Sequence, residues 1–400
     1  MNRGWRQQLR TLCGAGHRPQ AGNASALRFR PGLLLLESRV VPSLMHLSAG
    51  EHVFATGAGP GHEPIVNVYD AATGAIVGSF QAYDSHFMGG VNVTVADINQ
   101  DGVPDIVTGP GSGGGPDVRV FDGASGTIIK EFYAYDPAFA GGVNVAVGSW
   151  GDHPAPGMGI ASFVVPTIIT GAGPGGGPHV KIFDAASLSV LRSFYAYDPH
   201  FAGGVRVANG DFDLVTAVGL YLTSDVITAS GPGGGPNVRV FNGADGTVFS
   251  SAPGSLILSF MAYDPRFSGG VYVASGYLND GIYTDSGEYF SGQALIITGA
   301  GGGGGPDVRI FSPAGALLGE FDAFDSQFAG GVRVAFVQTS NDPNNGFTGD
   351  IIAGAGPGGG PHVLLFDAVH GSIDSVSVHS LYGLYAYEAS FTGGVYVGGS

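Results

Sequence analysis

The sequence predicts an all-β fold of six repeated four-stranded units, on three observations. Two short boxes alternate six times along the chain, each interval between them divides into four strand-like runs, and the strand missing from the first unit reappears at the C-terminus. Together these describe a six-bladed β-propeller of four-stranded antiparallel blades, closed when the C-terminal strand joins the N-terminal blade.

The first box, F-x-x-x-(A)-Y/F-D/E…F-x-G-G-V, places its acidic residue at Asp84, Asp136, Asp198, Asp264, Asp325 and Glu388. The second is glycine-rich and ends in Pro64, Pro116, Pro178, Pro236, Pro306 and Pro361. Their strict alternation sets the unit at about 60 residues, which is long enough for four short strands with turns. Glycine at 72 of 400 residues and proline at 24 argue against helices, and no 3.6-residue apolar stripe bounded by caps occurs in the repeats. The glycines follow no G-x-y period, so a collagen-like helix is excluded.

Within the unit, GGVNVTVA (Gly89 to Ala96) alternates valine with smaller or polar residues, the period of a half-buried strand. DIVTG (Asp105 to Gly109) is short and β-branched, DVRVFD (Asp117 to Asp122) alternates again, and TIIKEFYAYD (Thr127 to Asp136) closes the unit. GASG at 123–126 supplies turn residues between the last two.

The first unit lacks a GGVxV strand and starts at HVFATGAG (His52 to Gly59), while the chain ends on GGVYVGG (Gly393 to Gly399). A ring closed by that strand protects its edges; an open repetitive β array, the alternative, leaves one exposed at each end.

Residues 1–51 read as a basic leader, disordered or targeting, and 52–400 as the propeller. Residues 1–40 carry seven arginines and one acid, Glu37, which leaves 9 basic and 31 acidic side chains of the totals of 16 and 32 for the rest of the chain. The apolar run LLLL at 33–36 is broken by Glu37 and Arg39, a poor signal peptide and too short for a transmembrane segment. Cys13 is the only cysteine, so no internal disulfide forms.

The connection DINQDGVPD carries the strongest chemistry. Asp97, Asn99, Asp101 and Asp105 stand at positions 1, 3, 5 and 9, Gly102 at position 6 and the Val103 carbonyl at position 7, the first part of a Ca²⁺ loop. A hard cation needs several oxygens at once, and glycine lets the loop turn sharply enough to aim them inward. Thr108 stands where a glutamate would complete a helix-flanked loop, so the site is expected between two strands. The competing reading is an Asx-rich turn capping its own backbone. Weaker partial sets occur at Asp211, Asp213 and Asp225, at Asn279, Asp280 and Asp285, and at Ser340, Asp342 and Asp350; the connection at 148–168 offers only Asp152. Insertions are expected always at this one connection, hence on one face of the array.

Other motifs read as architecture. Gly109, Gly111 and Gly114 form a G-x-G-x-x-G, but a strand follows where a nucleotide site needs a helix. Phe132, Tyr135, Asp136 and Phe139 represent a box expected to pack between blades and cap turns, a sugar-binding comb being the alternative. No H-x-x-x-H zinc pair or G-x-S-x-G elbow occurs, and the acidic body repels nucleic acid.

GGVNVTVADINQDGVPDIVTGPG followed by DVRVFD resembles the FG-GAP repeat of integrin-alpha-like propellers, and the resemblance spans residues 52–400. It implies that the strand before the loop is innermost, that Gly394 to Gly398 lies in the first blade, and that Ca²⁺ is held at Asp97, Asn99, Asp101, Val103 and Asp105. GAGPGGGPHVKIFD with FYAYDPHFAGGVRVA is similar to repeats of planctomycete-type secreted or surface proteins, and FRPGLLLLESRVVPS (Phe29 to Ser43) resembles their leader. The resemblance implies an extracellular or cell-surface location and noncatalytic recognition, adhesion or scaffolding, with a protein or carbohydrate at the cell surface as partner. The alternatives are a propeller enzyme acting on polysaccharide, lyase or hydrolase, marked by facing carboxylates or a histidine–tyrosine–arginine group in a central pocket, and a purely structural repeat protein.

Overall fold

The computed structural model describes residues 45–151, 164–210, 212, 224–243, 256–277, 282–283, 289–290, 294–342, 346–372 and 375–399. Among them there is no helix, and the strands form six four-stranded antiparallel sheets and one two-stranded sheet of Ile282–Tyr283 with Tyr289–Phe290. From the axis outward, blade 1 is Val395–Gly398, Val53–Ala58, Ile65–Asp70 and Ile76–Gln81. Blade 2 is Val91–Ala96, Asp105–Pro110, Asp117–Phe121 and Ile128–Tyr133, and blade 3 is Val143–Gly151, Val164–Ala172, His179–Asp184 and Val190–Tyr195. Blade 4 is Val205–Gly210, Asp225–Ser230, Asn237–Phe241 and Leu256–Met261. Blade 5 is Val271–Gly276, Leu295–Ala300, Asp307–Phe311 and Leu317–Asp322, and blade 6 is Val332–Asp342, Gly346–Ala355, His362–Ser372 and Ser375–Tyr385.

The ring closes as the chain ends require. Thr56 pairs with Val397 and Ala58 with Val395, so the C-terminal strand is the innermost of blade 1. The six innermost strands also touch one another in cyclic order, including the last with the first. No helix among the described residues is long and apolar enough to cross a membrane.

Burial explains the strand patterns. The second strand of blade 2 is buried along its whole length, which is why DIVTG carries little alternation, whereas Ile128–Tyr133 on the outer edge is exposed at both ends. The buried residues form six clusters, one between each pair of neighbouring blades, rather than a single centre. Each third strand carries the same register shift at its aromatic residue (Tyr69, Phe121, Phe183, Phe241, Phe311, Phe366). That bulge re-aims the ring. Phe121 meets Phe80 of the preceding blade at 4.4 Å between centroids, and Phe183 meets Phe132 at 4.8 Å.

Three details depart from the sequence reading. The closing strand of blade 2 stops at Tyr133, because Ala134 N–H donates to Pro116 O and Asp136 then caps a turn by accepting from Ala138 N–H at 2.8 Å. Residues 45–51, assigned to the leader, contribute Met45 and Leu47 to the core between blades 1 and 2, with Leu47 N–H donating to Gly123 O at 2.9 Å. Lengthening is not confined to one connection: the third and fourth strands of blade 6 run far beyond their counterparts. In an antiparallel blade the connections from first to second and from third to fourth strand leave from the same end. The longer strands of blade 6 therefore extend toward the same face as the loops after the innermost strands.

The aromatic–acidic box latches the blades together, as expected. Tyr83 Oη stands 3.0 Å from Thr108 Oγ1 in the next blade and donates to Asp117 O at 3.0 Å. Tyr135 and Thr170, Tyr197 and Thr228, Tyr263 and Thr298, and Tyr387 and Thr56 repeat the contact. Blade 6 has Ala353 at the threonine position, and there the tyrosine is Phe324, so neither hydroxyl is stranded. Gly142 shows what the glycines are for: it sits at φ +82, and a Cβ there would lie 2.6 Å from Pro110 O in blade 2.

Candidate functional site

The 97–105 loop leaves the innermost strand of blade 2, and its oxygens fold it. Asp97 Oδ1 accepts from Asp101 N–H at 3.1 Å and Asp97 Oδ2 from Gly102 N–H at 2.9 Å. Asn99 Oδ1 accepts from Asp101 N–H at 3.0 Å, and Asp101 Oδ1 from Val103 N–H at 2.8 Å. These bonds hold Gln100 at φ 62, in the left-handed region that side chains avoid, and Gly102 at φ 85. The loop is therefore wound around its own Asx side chains, the turn geometry that competes with metal binding as an explanation for the residues.

Asp105 is fully buried. Its Oδ2 accepts from Ile98 N–H at 2.9 Å and Asn99 N–H at 3.2 Å, and its Oδ1 from Gly123 N–H at 2.9 Å. Burial pushes its carboxyl up to about 6, against those bonds. Asp225 plays the same part in blade 4, accepting from Phe212 N–H at 3.1 Å and Gly243 N–H at 3.0 Å. Asp350 holds the corresponding place in blade 6, also buried and also raised to about 6 by burial and by neighbouring Asp367. This aspartate thus clamps the two connections at one end of a blade to each other. Val103 turns its side chain into the core between blades 1 and 2.

One residue that the spacing did not reveal joins the loop. Asn99 Nδ2 donates to Asp101 Oδ2 at 3.1 Å and to Asp122 Oδ2 at 3.2 Å, so the amide bridges the loop carboxylate to one at the end of the third strand. Asp122 was legible only as the last letter of DVRVFD. The donor set is all oxygen, which suits Ca²⁺ and not a softer ion. Among the described residues, no three or more His, Cys, Asp or Glu side chains are gathered as a preformed metal centre. Asp152, Asp211, Asp213, Asn279, Asp280 and Asp285 lie outside the described residues, as do the side chains of Ser340 and Asp342.

A second constellation, on the axis, escaped the sequence reading. Each innermost strand begins Val-x-Val, and the middle residues are Asn92, Asn144, Arg206, Tyr272, Arg333 and Tyr396. All six line one axial cavity of about 70 Å³. Asn92 Nδ2 donates to Val143 O at 2.7 Å, Asn144 Nδ2 to Val205 O at 2.8 Å and Arg206 Nη1 to Val271 O at 3.0 Å, each reaching the next blade. Arg206 lies 3.6 Å from the centroid of the Tyr272 ring and Arg333 4.0 Å from that of Tyr396. Burial raises the Tyr272 phenol, but the charges of Arg206 and Arg333 outweigh it and bring the group down to about 8. The signal was present in the sequence: in a box otherwise repeated closely, this position changes between amide, guanidinium and phenol.

No family model matches the chain, and no curated protein matches it either. Among solved structures it is similar to a complex of KlAtg21 with the coiled coil of AgAtg16, at 9% identity and a TM-score of 0.40, over 81% of this chain and 77% of that one. It is also similar to a protein of unknown function from Bacteroides caccae, at 11% identity and a TM-score of 0.40, over 87% of this chain and 98% of that one. The propeller architecture itself rests on the strand order and ring closure described above.

Proposed function

We propose that this chain is a noncatalytic recognition propeller of the extracellular or cell-surface kind, in which Ca²⁺ orders the 97–105 loop of blade 2. The observation that carries it is the Asn99 amide, which draws the carboxylates of Asp101 and Asp122 toward one short loop that Asp97 closes. Asp97, Asn99 and Asp101, the Val103 carbonyl and Asp105 would hold the ion, with Asp122 beside them. Bound there, Ca²⁺ would neutralise clustered acids and tie the first connection of the blade to its third strand. The FG-GAP resemblance supports the same reading, and a protein or carbohydrate at the cell surface is the partner it implies. Such a partner would meet the face carrying the extended strands of blade 6 and the loops after the innermost strands.

The test is calorimetric titration of Ca²⁺ into chelator-treated protein, with melting curves of wild type and Asp101→Ala. Saturable binding near one equivalent, with a rise in melting temperature that the variant loses, is the expected result. No binding at millimolar Ca²⁺ would leave the loop as a self-capped turn and remove the metal from the proposal.

The rival, an enzyme acting on polysaccharide, draws support from the arginine–tyrosine group in the channel. It ranks second because neither histidine nor carboxylate is among the residues lining that cavity, whose 70 Å³ is small for a sugar chain. Chain cleavage of uronate polymers, followed by the unsaturated product of elimination or by new reducing ends, would reverse that order.

A further inference from the structure

We propose that the axial channel is an anion-binding site, in which Arg206 and Arg333 together hold one compact oxyanion: a carboxylate, sulfate or phosphate group. The site is separate from the calcium loop, and neither reading needs the other.

The charge balance of the channel carries the inference. On the third strands of blades 2 and 5 the arginines are paired with acids: Arg119 reaches Asp117 at 3.0 Å and Glu131 at 2.9 Å, and Arg309 reaches Asp307 at 3.1 Å and Glu320 at 3.2 Å, while Arg239 of blade 4 donates to Asn237 and Ala196 O. Among the described residues, neither Arg206 nor Arg333 is within ion-pair distance of a carboxylate. Arg333 is only 4% exposed, its Nη1 donates to Ala355 O at 3.2 Å, and its Nε finds no partner among the described residues. A guanidinium removed from water without a counter-charge is strongly unfavourable. Buried Arg333 and half-buried Arg206 face one small cavity and share only the Tyr272 phenol, which both contact, so while that phenol keeps its proton the two charges there favour an anion.

The rest of the lining is consistent with that charge. Asn92 and Asn144 are neutral, and the titratable groups facing the cavity are the two arginines with the phenols of Tyr272 and Tyr396. The rings of Tyr272 and Tyr396 lie against the guanidinium planes and fix them, so little side-chain freedom is lost when a ligand arrives. Tyr272 itself is drawn toward its anionic form by the arginines, so the cavity already favours negative charge. Its volume, about 70 Å³, is several times the roughly 10–15 Å³ that one water needs, which admits a compact oxyanion and excludes a sugar ring. The acidic exterior would repel polyanions, leaving small or singly carried groups as ligands.

The experiment is calorimetric titration of the full chain with sulfate, phosphate and acetate at constant ionic strength set by chloride, below pH 8. One equivalent of at least one of the three is expected to bind, roughly tenfold more weakly in Arg206→Gln. Arg333 is buried and Arg333→Gln is expected to destabilise the fold, so a second readout uses Tyr272. Ultraviolet difference titration should find one tyrosine ionising near pH 8, missing in Tyr272→Phe, with its midpoint moved upward by the saturating oxyanion. The proposal is overturned if none of the three anions binds, if Arg206→Gln binds them as wild type does, or if they leave the Tyr272 midpoint where chloride leaves it.

Discussion

Replacing Tyr83 by phenylalanine tests how the blades are held together. Tyr83 donates to Asp117 O, so in the 3.0 Å contact with Thr108 the threonine hydroxyl must be the donor. Both groups are buried, and removing the phenol oxygen strands the Thr108 hydroxyl while taking a donor from Asp117 O. At roughly 1–3 kcal/mol for a buried unsatisfied group, Tyr83→Phe should cost about 2–3 kcal/mol. Thr108→Val keeps the side-chain shape and leaves Tyr83 its bond to Asp117, so about 1 kcal/mol is expected. The double variant reproduces in blade 2 what blade 6 already has in Phe324 and Ala353, two apolar partners with no hydroxyl left unpaired. It should therefore be less destabilised than the sum of the singles by about 1 kcal/mol. Guanidinium melts of the full chain, compared through midpoint shifts at constant slope, give the three values. Strict additivity would refute the idea that the two hydroxyls act as a unit, and Tyr83→Phe within a few tenths of a kcal/mol of wild type would refute the latch itself.

Three further outcomes follow from particular residues. The folded Tyr272 phenol lies near 8, against 10.0 for an unperturbed tyrosine, so the folded state releases its proton first. Stability relative to Tyr272→Phe should rise between about pH 8 and pH 10, by on the order of 1–3 kcal/mol, and the added term should vanish below pH 8; thermal melts of the pair across that range decide it. Gly142→Ala must accommodate a Cβ 2.6 Å from Pro110 O at positive φ and should cost more than about 2 kcal/mol, whereas Gly113→Ala, also at positive φ but with open space around it, should cost about 1 kcal/mol. Asp225→Ala removes the acceptor for Phe212 and Gly243 N–H and should destabilise by about 2–3 kcal/mol with or without Ca²⁺, as chelator-controlled melts would show.

The architecture was readable because each blade repeats its physics. Val91, Val93 and Val95 alternate in the sequence because one side of that strand packs into the cluster between blades 1 and 2. The displaced GGVYV strand was readable because a closed ring needs it. The calcium loop was legible as spacing, but spacing could not show that Asp105 spends its oxygens on Ile98, Asn99 and Gly123, or that Asp122 comes in from the third strand. Those contacts join residues that share no local period. The channel was missed for the opposite reason: Asn92, Asn144, Arg206, Tyr272, Arg333 and Tyr396 are far apart in sequence, and each alone looks like the polar half of a strand's alternation. Only ring closure brings them to one cavity.

The division of labour between the two ends of the blades explains where this chain varies. At the end carrying the glycine and aromatic–acidic boxes, every connection also touches a neighbouring blade. Gly111 N–H donates to Gly90 O, Gly113 N–H to Ala140 O in the next connection, and Tyr83 crosses to Thr108. Lengthening a connection there would break latches on two blades at once. At the opposite end the Asp105 and Asp225 clamps bind the first and third connections of one blade to each other, so a connection can lengthen there while its clamp is kept. The axial position is free in a different sense: its side chain faces the cavity, and its neighbours in the strand already supply the packing. Two regions are thereby released from the demands of the fold, the loop face and the axis, and these are the two places where the residue chemistry departs from the repeat.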